Sequence, residues 1–212
     1  MESDFTGKGN PDDLYTTEIR ELLKRLTGAD KVIAFGIVVR QTKPTGPNFQ
    51  PPASDVHVDW TPRRAHALAK DLLSKSDEPD FKYSRFVCIN LWRAISTPPQ
   101  DYPLAVCDAR SLTSTAATAN QMIGIDKIPD MTNRDALPDG PVVSEADLFT
   151  YDENQQWYYF SDMHEGEILA FKLYDSQKDT KGGRCPHTAF LDDREGTISR
   201  ESVEIRSVVY FK

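Results

Sequence analysis

The chain is poor in the residues that would staple it covalently or carry it into a membrane. Only three of its 212 residues are cysteine, Cys88, Cys107 and Cys185. They are odd in number, widely spaced and without a Cys-x-x-Cys pair, which excludes a disulfide framework or a thiolate zinc site as the organising feature. Reduced thiols in an intracellular compartment are the expectation. No window approaches the run of about 18 apolar residues that marks a membrane helix. The start, Met1-Glu2-Ser3-Asp4-Phe5, has neither the basic nor the apolar region of a signal peptide. A cytoplasmic protein that does not engage a membrane is expected. Positive charge is also in deficit, with 25 Lys and Arg against 33 Asp and Glu, a net charge of −8. The basic residues are scattered rather than gathered into a stripe, which argues against nucleic acid as a partner. Histidine is scarce too: there are four, so each can be weighed singly.

What remains is an ordinary globular composition, 39 % hydrophobic and 27 % charged. A chain of this length buries roughly 70 % of the surface that its unfolded form exposes, enough for one core without staples. A single domain over 1–212 is expected, with about 1–11 flexible. Leu14, Ile19, Leu22, Leu23 and Leu26 recur at helical spacing over about 12–27, and Gly28 supplies a stop. The β-branched run 31–40 reads as a buried strand. A proline-rich loop over 41–53 leads to a strand at 56–60, and 62–73 reads as a helix with Pro62 in its first turn. Strand signals follow at 84–94, 104–107, 157–161, 167–174, 186–191 and 203–211. The polar stretch 111–147 is expected to be a long loop or lid. Two helices on the N-terminal side followed by many strands imply an α+β protein, and the best specific architecture is a double-stranded β-helix (jelly-roll) core with flanking helices on the N-terminal side.

The chemistry-bearing pattern is His57-Val58-Asp59 with a distant His187. Side chains at i and i+2 of a strand share a face, so His57 and Asp59 could grip one metal ion together. A second histidine on the same face would complete two imidazoles and one carboxylate, the facial set that suits non-haem Fe(II) oxygenases. His187 opens a late strand, where a jelly-roll barrel needs such a ligand. His66 lies within the second helix and His164 in a turn, and neither is expected to reach the metal. About a dozen residues after His187 comes Arg200-Glu201-Ser202. Alternation puts Arg200, Ser202, Glu204 and Arg206 on one face, and Val203, Ile205, Ser207 and Val209 on a face suited to a helix layer. An inward arginine with a hydroxyl two residues on can hold a carboxylate by charge-assisted hydrogen bonds, as a 2-oxoglutarate site requires. A zinc hydrolase could use the same three ligands, but Glu165 and Glu167 sit in a turn and offer no placed general base.

Several blocks occur in one order: His57-Val58-Asp59-Trp60-Thr61-Pro62, Asn90-Leu91-Trp92-Arg93, Asp101-Tyr102-Pro103-Leu104, Trp157-Tyr158-Tyr159, Arg184-Cys185-Pro186-His187 and Arg200-Glu201-Ser202-Val203-Glu204-Ile205-Arg206. Together they resemble the hydroxylase/desaturase family of AsaB-like, CmcJ-like and gibberellin-desaturase-like proteins, from about residue 12 to the C-terminus. The resemblance implies a non-haem Fe(II), 2-oxoglutarate-dependent oxygenase of secondary metabolism, taking a small-molecule substrate and dioxygen. It implies His57, Asp59 and His187 as metal ligands and Arg200, with Ser202, as the anchor of 2-oxoglutarate. Arg206 is the rival anchor, and Arg93 is expected to line the pocket. Members of that family usually carry extra strands ahead of the first helix, which leaves two expectations open: that portion is dispensable, or the pocket is more open and co-substrate use has diverged. Two alternatives stay open, an Fe(II) oxygenase that does without 2-oxoglutarate and a non-catalytic barrel that binds a small ligand; self-association as a homodimer is also held open.

Overall fold

The computed structural model describes residues 14–46, 48–113, 116–125, 140–177 and 182–212. Helix α1, Leu14–Thr27, turns Tyr15, Thr16, Ile19 and Leu23 inward. It stops where Gly28 takes a positive φ of 69° and donates its N–H to the Lys24 carbonyl at 2.9 Å, the left-handed cap that glycine adopts without a Cβ penalty. Strand β1, Lys31–Gln41, follows; then a short β2, His57–Val58, and helix α2, Pro62–Ser74. Thr61 caps α2 by accepting from the Arg64 N–H at 3.1 Å, and Pro62 occupies the first turn, where no N–H is needed.

The remaining strands are β3 (Arg85–Ala94), β4 (Leu104–Cys107), β5 (Ala117–Ile123), β6 (Val142–Phe149), β7 (Trp157–Tyr159), β8 (Leu169–Asp175), β9 (His187–Ala189) and β10 (Glu201–Phe211). They form two antiparallel sheets, one in the order β1-β10-β3-β8 and the other β5-β6-β2-β9-β4-β7. The architecture is a sandwich with two helices, consistent with a jelly roll. The sequence expectation of many strands after the N-terminal helices agrees with it.

The four-stranded sheet is buried on both faces. On one, Val203, Ile205 and Val209 of β10 and Val87, Ile89 and Leu91 of β3 pack against Tyr15, Ile19 and Leu23 of α1. On the other, Val208, Tyr210, Phe86, Cys88 and Trp92 meet Val58, Trp60 and the Ala65, Ala69 and Leu73 face of α2. Tyr210 donates its hydroxyl to the Ala69 carbonyl at 2.7 Å, so α2 covers the C-terminal end of β10. At the opposite end of β10, Ser202, Glu204 and Arg206 lie on the face turned away from α1, while Val203 and Ile205 between them pack against that helix. Along β1 the pairing with β10 shifts register between Phe35 and Val38, where Gly36 takes a positive φ of 65°.

One expectation needs correction. The stretch 111–147 is not a continuous loop: a 3-10 turn at Ala109–Ser111 is followed by β5 and by β6, which pair with each other. β6 escapes an apolar reading because its buried positions are charged. Glu145 and Asp147 are buried on β6, met by Thr61, Arg63 and Gln121 and by Arg184 respectively, while β5 is an edge strand with most side chains exposed. Residues 126–139, and the expected flexible 1–11, lie outside the described residues.

Candidate metal centre

The site grows from the meeting of two very short strands, β2 and β9. β2 lies between β6 and β9, and His57 stands directly opposite His187. Their rings are 4.4 Å apart at the centroids. Asp59, two residues on, returns to the same face, with Oδ1 at 3.5 Å from the Nε2 atoms of both His57 and His187. All three ligand atoms lie within 4.8 Å of one another, close enough for one ion bound at about 2.0–2.2 Å from imidazole nitrogen and carboxylate oxygen.

The second ring nitrogens are already engaged. His57 Nδ1 is 2.7 Å from the Asp55 carbonyl and His187 Nδ1 is 3.2 Å from the Cys185 carbonyl. A carbonyl only accepts, so in each ring Nδ1 carries the hydrogen and Nε2 presents its lone pair toward Asp59 when the ring is neutral. Phe171, with its ring 4.7 Å from that of His187, fixes the second imidazole from below.

The carboxylate is held from the far side. Arg206 Nε donates to Asp59 Oδ2 at 2.5 Å and its Nη2 to Glu204 Oε1 at 3.0 Å. Burial alone would raise the Asp59 pKa; Arg206 and the two histidines overcome it and hold the carboxyl well below the usual range. Burial likewise pushes the His57 pKa down, but hydrogen bonding and attraction to Asp59 prevail and it lies above the ordinary value. The carboxylate is thus ionised and aimed by one oxygen at the imidazoles.

Two spaces adjoin the triad. A cavity of ≈ 590 Å³ opens beside His57 and Asp59, walled by Arg40, Trp60, Asn120, Leu148 and Arg206 among others. A narrow cleft, with ≈ 10 Å³ free, runs between His57, His187, Trp92 and Arg200, so a carboxylate entering it must move the side chains that line it. Arg200 is 2 % exposed. Its Nε donates to Ser202 Oγ at 2.9 Å and its Nη1 to the Tyr102 carbonyl at 2.7 Å, with the guanidinium 5.1 Å above the Trp92 ring. Burial pulls its pKa down to about 10. None of the ion pairs among the described residues includes Arg200, and the buried Trp92 indole N–H has no hydrogen-bond partner among them. A buried cation whose nearest carboxylates, Glu204 and Asp101, act on it without pairing with it, and an orphaned donor at the same cleft, fit an acidic ligand.

The expected residues divide cleanly. His57, Asp59 and His187 come together; Arg200 and Ser202 lie at the cleft; Arg206 is committed to Asp59 and Glu204. Arg93 does not line the pocket. It pairs across from Val203 on the α1 face of the sheet and donates to the Glu165 carbonyl. Trp92 faces inward, and the next residue on a strand must face out. His66 Nε2 is 3.1 Å from the Tyr174 hydroxyl, and the His164 N–H is bound to Glu167 at 2.8 Å in a turn. Sequence reasoning passed over Arg40, whose Nη2 donates to Glu204 Oε1 at 3.2 Å; the signal for Glu204 was its place on the polar face of β10.

Comparison with known proteins follows the same lines. A family model described as an oxidoreductase/YMDC permease-like domain (YDMC) matches residues 1–210; among the described residues no helix is long and apolar enough to cross a membrane. The hydroxylase/desaturase efuI of Hormonema carpetanum is 30 % identical over 93 % of this chain and 70 % of its own length. The Fe(II)/2-oxoglutarate-dependent dioxygenase nvfI of Aspergillus novofumigatus is 30 % identical over 92 % of this chain, which spans 66 % of that protein. The solved structure of the iron and alpha-ketoglutarate-dependent endoperoxidase NvfI superposes with a TM-score of 0.78 at 28 % identity, covering 95 % of this chain and 70 % of that one.

Proposed function

Because the chain belongs to the fungal hydroxylase/desaturase family of Fe(II)/2-oxoglutarate dioxygenases, we propose that it is an oxidoreductase that uses Fe(II), 2-oxoglutarate and dioxygen on a small secondary metabolite. The observation that carries this reading is the convergence of two Nε2 atoms and one Asp59 oxygen beside a buried arginine that has no ion-paired carboxylate among the described residues. His57, Asp59 and His187 would hold the iron, and Arg200 with Ser202 would hold the distal carboxylate of 2-oxoglutarate, all at one mouth of a double-stranded β-helix. When bound, the pair supplies the dioxygen-activating chemistry that side chains lack.

The chain's own residues have three tasks. Asp55 and Cys185 carbonyls fix the imidazole tautomers, so in the neutral rings Nε2 is the atom offered to a metal, and a metal binding at His57 displaces the proton that Asp59 favours there. Arg206 keeps Asp59 ionised and oriented. Val58 and Phe171, buried behind the ligands, exclude water from that side. The large cavity would then present the substrate to the open face. Whether hydroxylation, desaturation or oxidative cyclisation follows depends on which substrate C–H bond that cavity turns toward the metal. The test is an anaerobic titration of the purified protein with Fe(II) and then 2-oxoglutarate. A weak visible charge-transfer absorption and, on admitting oxygen, succinate are expected; absence of both removes the co-substrate assignment.

A further inference from the structure

The two spaces at the metal centre differ in charge, and one residue is responsible. Three guanidiniums line them: Arg40, Arg200 and Arg206. Arg206 is neutralised by Asp59 at 2.5 Å and Glu204 at 3.0 Å. Arg40 is neutralised by Glu204 alone, at 3.2 Å, with its other nitrogen on the Pro51 carbonyl at 2.9 Å. Arg200 has no paired carboxylate among the described residues. Glu204 itself is buried, and the Asn90 amide 3.5 Å from its Oε2 adds a further donor. A buried carboxylate with two guanidiniums on one oxygen is a fixed internal counter-ion rather than a solvated surface charge.

Arg40 is the pivot, because it lines both the large cavity and the cleft. With Glu204 in place, the large cavity presents no unpaired cation among its described residues; Asp55 at its rim adds a negative charge, and Asn120, Gln50 and Ser144 add neutral hydrogen-bonding groups. An acidic molecule entering there would meet guanidiniums that are already paired and would have to displace a buried carboxylate. Arg200 shares its cleft with Glu204, which together with Asp101 favours its charge, but neither carboxylate is ion-paired to it, so its guanidinium can take a dicarboxylate without an ion pair being broken.

We propose that Glu204 is a specificity-determining residue: by neutralising Arg40 and Arg206 it reserves the large cavity for an uncharged, hydrogen-bonding substrate and leaves Arg200 as the one anchor for a dicarboxylate. This rests on the reading of Arg200 given above. It also explains why three arginines can crowd one metal centre without turning the whole pocket into an anion trap.

The experiment is calorimetric and needs no turnover. Mn(II)-loaded protein is titrated anaerobically with 2-oxoglutarate and, separately, with succinate. The wild-type protein is expected to bind one equivalent of 2-oxoglutarate. Glu204→Gln, which keeps shape and removes charge, is expected to bind a second dicarboxylate, and the double variant Glu204→Gln with Arg40→Gln is expected to lose that second equivalent. A Glu204→Gln protein that melts as wild type does and still binds one equivalent overturns the proposal. Should that variant not fold, Arg40→Gln alone decides: since Arg40 is already neutralised, its loss should weaken the single site less than threefold, and a loss above tenfold overturns the proposal. If the wild type binds no dicarboxylate while Glu204→Gln gains one, the role of Glu204 stands and the 2-oxoglutarate assignment falls; binding by neither protein removes both.

Discussion

The two sheets divide the work unequally. The four-stranded sheet is built from strands of 7 to 11 residues, and its two central strands are packed on both faces. Four strands of the other sheet have only 2 to 4 residues, and the two that carry the candidate histidines are among them. A long ladder fixes every side chain by register, as Arg206 is fixed opposite Asn90 and Glu204 opposite Trp92. A two-residue strand fixes only the residues in it and lets the chain leave at once, so His57 and His187 are held opposite each other while the chain beyond them opens into a cavity. The long sheet supplies the framework and the charges behind the site; the short strands supply the ligands at its open face.

The sharpest way to break this division is to remove a ligand from a short strand. His57→Ala and Asp59→Ala should each abolish stoichiometric Fe(II) or Co(II) retention in equilibrium dialysis. Loss of an outer partner already costs 10–100-fold in affinity, so more than about 100-fold is expected here. Melting behaviour of the metal-free protein should change little for His57→Ala, and wild-type metal retention would place the centre elsewhere. The framework responds in the opposite sense. Ile205→Ala on β10 or Leu23→Ala on α1 empties a fully packed position and should cost about 2–5 kcal/mol in urea unfolding, with metal stoichiometry of the folded fraction unchanged. Tyr158→Ser on β7, which is 56 % exposed, should stay within about 0.5 kcal/mol.

Arg200→Lys keeps the charge and loses the planar fork. Charge-assisted hydrogen bonds of this kind are worth about 1.5–3 kcal/mol, so 2-oxoglutarate affinity should fall by about tenfold or more while Fe(II) retention holds. Equal loss of both would mean that Arg200 acts through the fold. A last effect concerns pH. Asp175 of β8 is buried; burial would raise its pKa, but Arg85, bound at 2.6 and 2.9 Å, together with the Gln177 N–H and Lys172, lowers it. A depressed carboxyl contributes stability above its unfolded value and loses it as pH falls through the folded one. Asp175→Asn should therefore flatten the loss of stability below about pH 4 and leave the metal centre untouched; an unchanged acid limb in urea titrations would show that the Arg85 pair contributes nothing.

The candidate ligands were legible because strand geometry is local: His57 and Asp59 share a face wherever the chain is extended, and a late strand beginning at His187 is a short inference away. The helix-facing side of β10 was legible for the same reason, since Val203, Ile205 and Val209 alternate with polar residues. Arg93 misled because a resemblance names blocks, whereas parity decides which member of Trp92-Arg93 faces in. β6 was hidden because buried Glu145 and Asp147 stand where an apolar pattern would be sought, and β5 because it is an edge strand with most side chains exposed. Arg40 was hidden by something that no periodicity reports, a change of phase within its own strand.

That change has a consequence of its own. Before Gly36, Ile33 and Phe35 point into the sandwich; after it, Ile37 and Val39 pack toward α1 while Val38 and Arg40 point inward. One extra residue reverses the parity of everything downstream in β1. Strict alternation from Phe35 would send Ile37 inward and leave Arg40 among the side chains around α1, far from Glu204. The glycine thus acts as a frame shift written in three dimensions: it decides which of two neighbouring residues belongs to the core and which belongs to the chemistry.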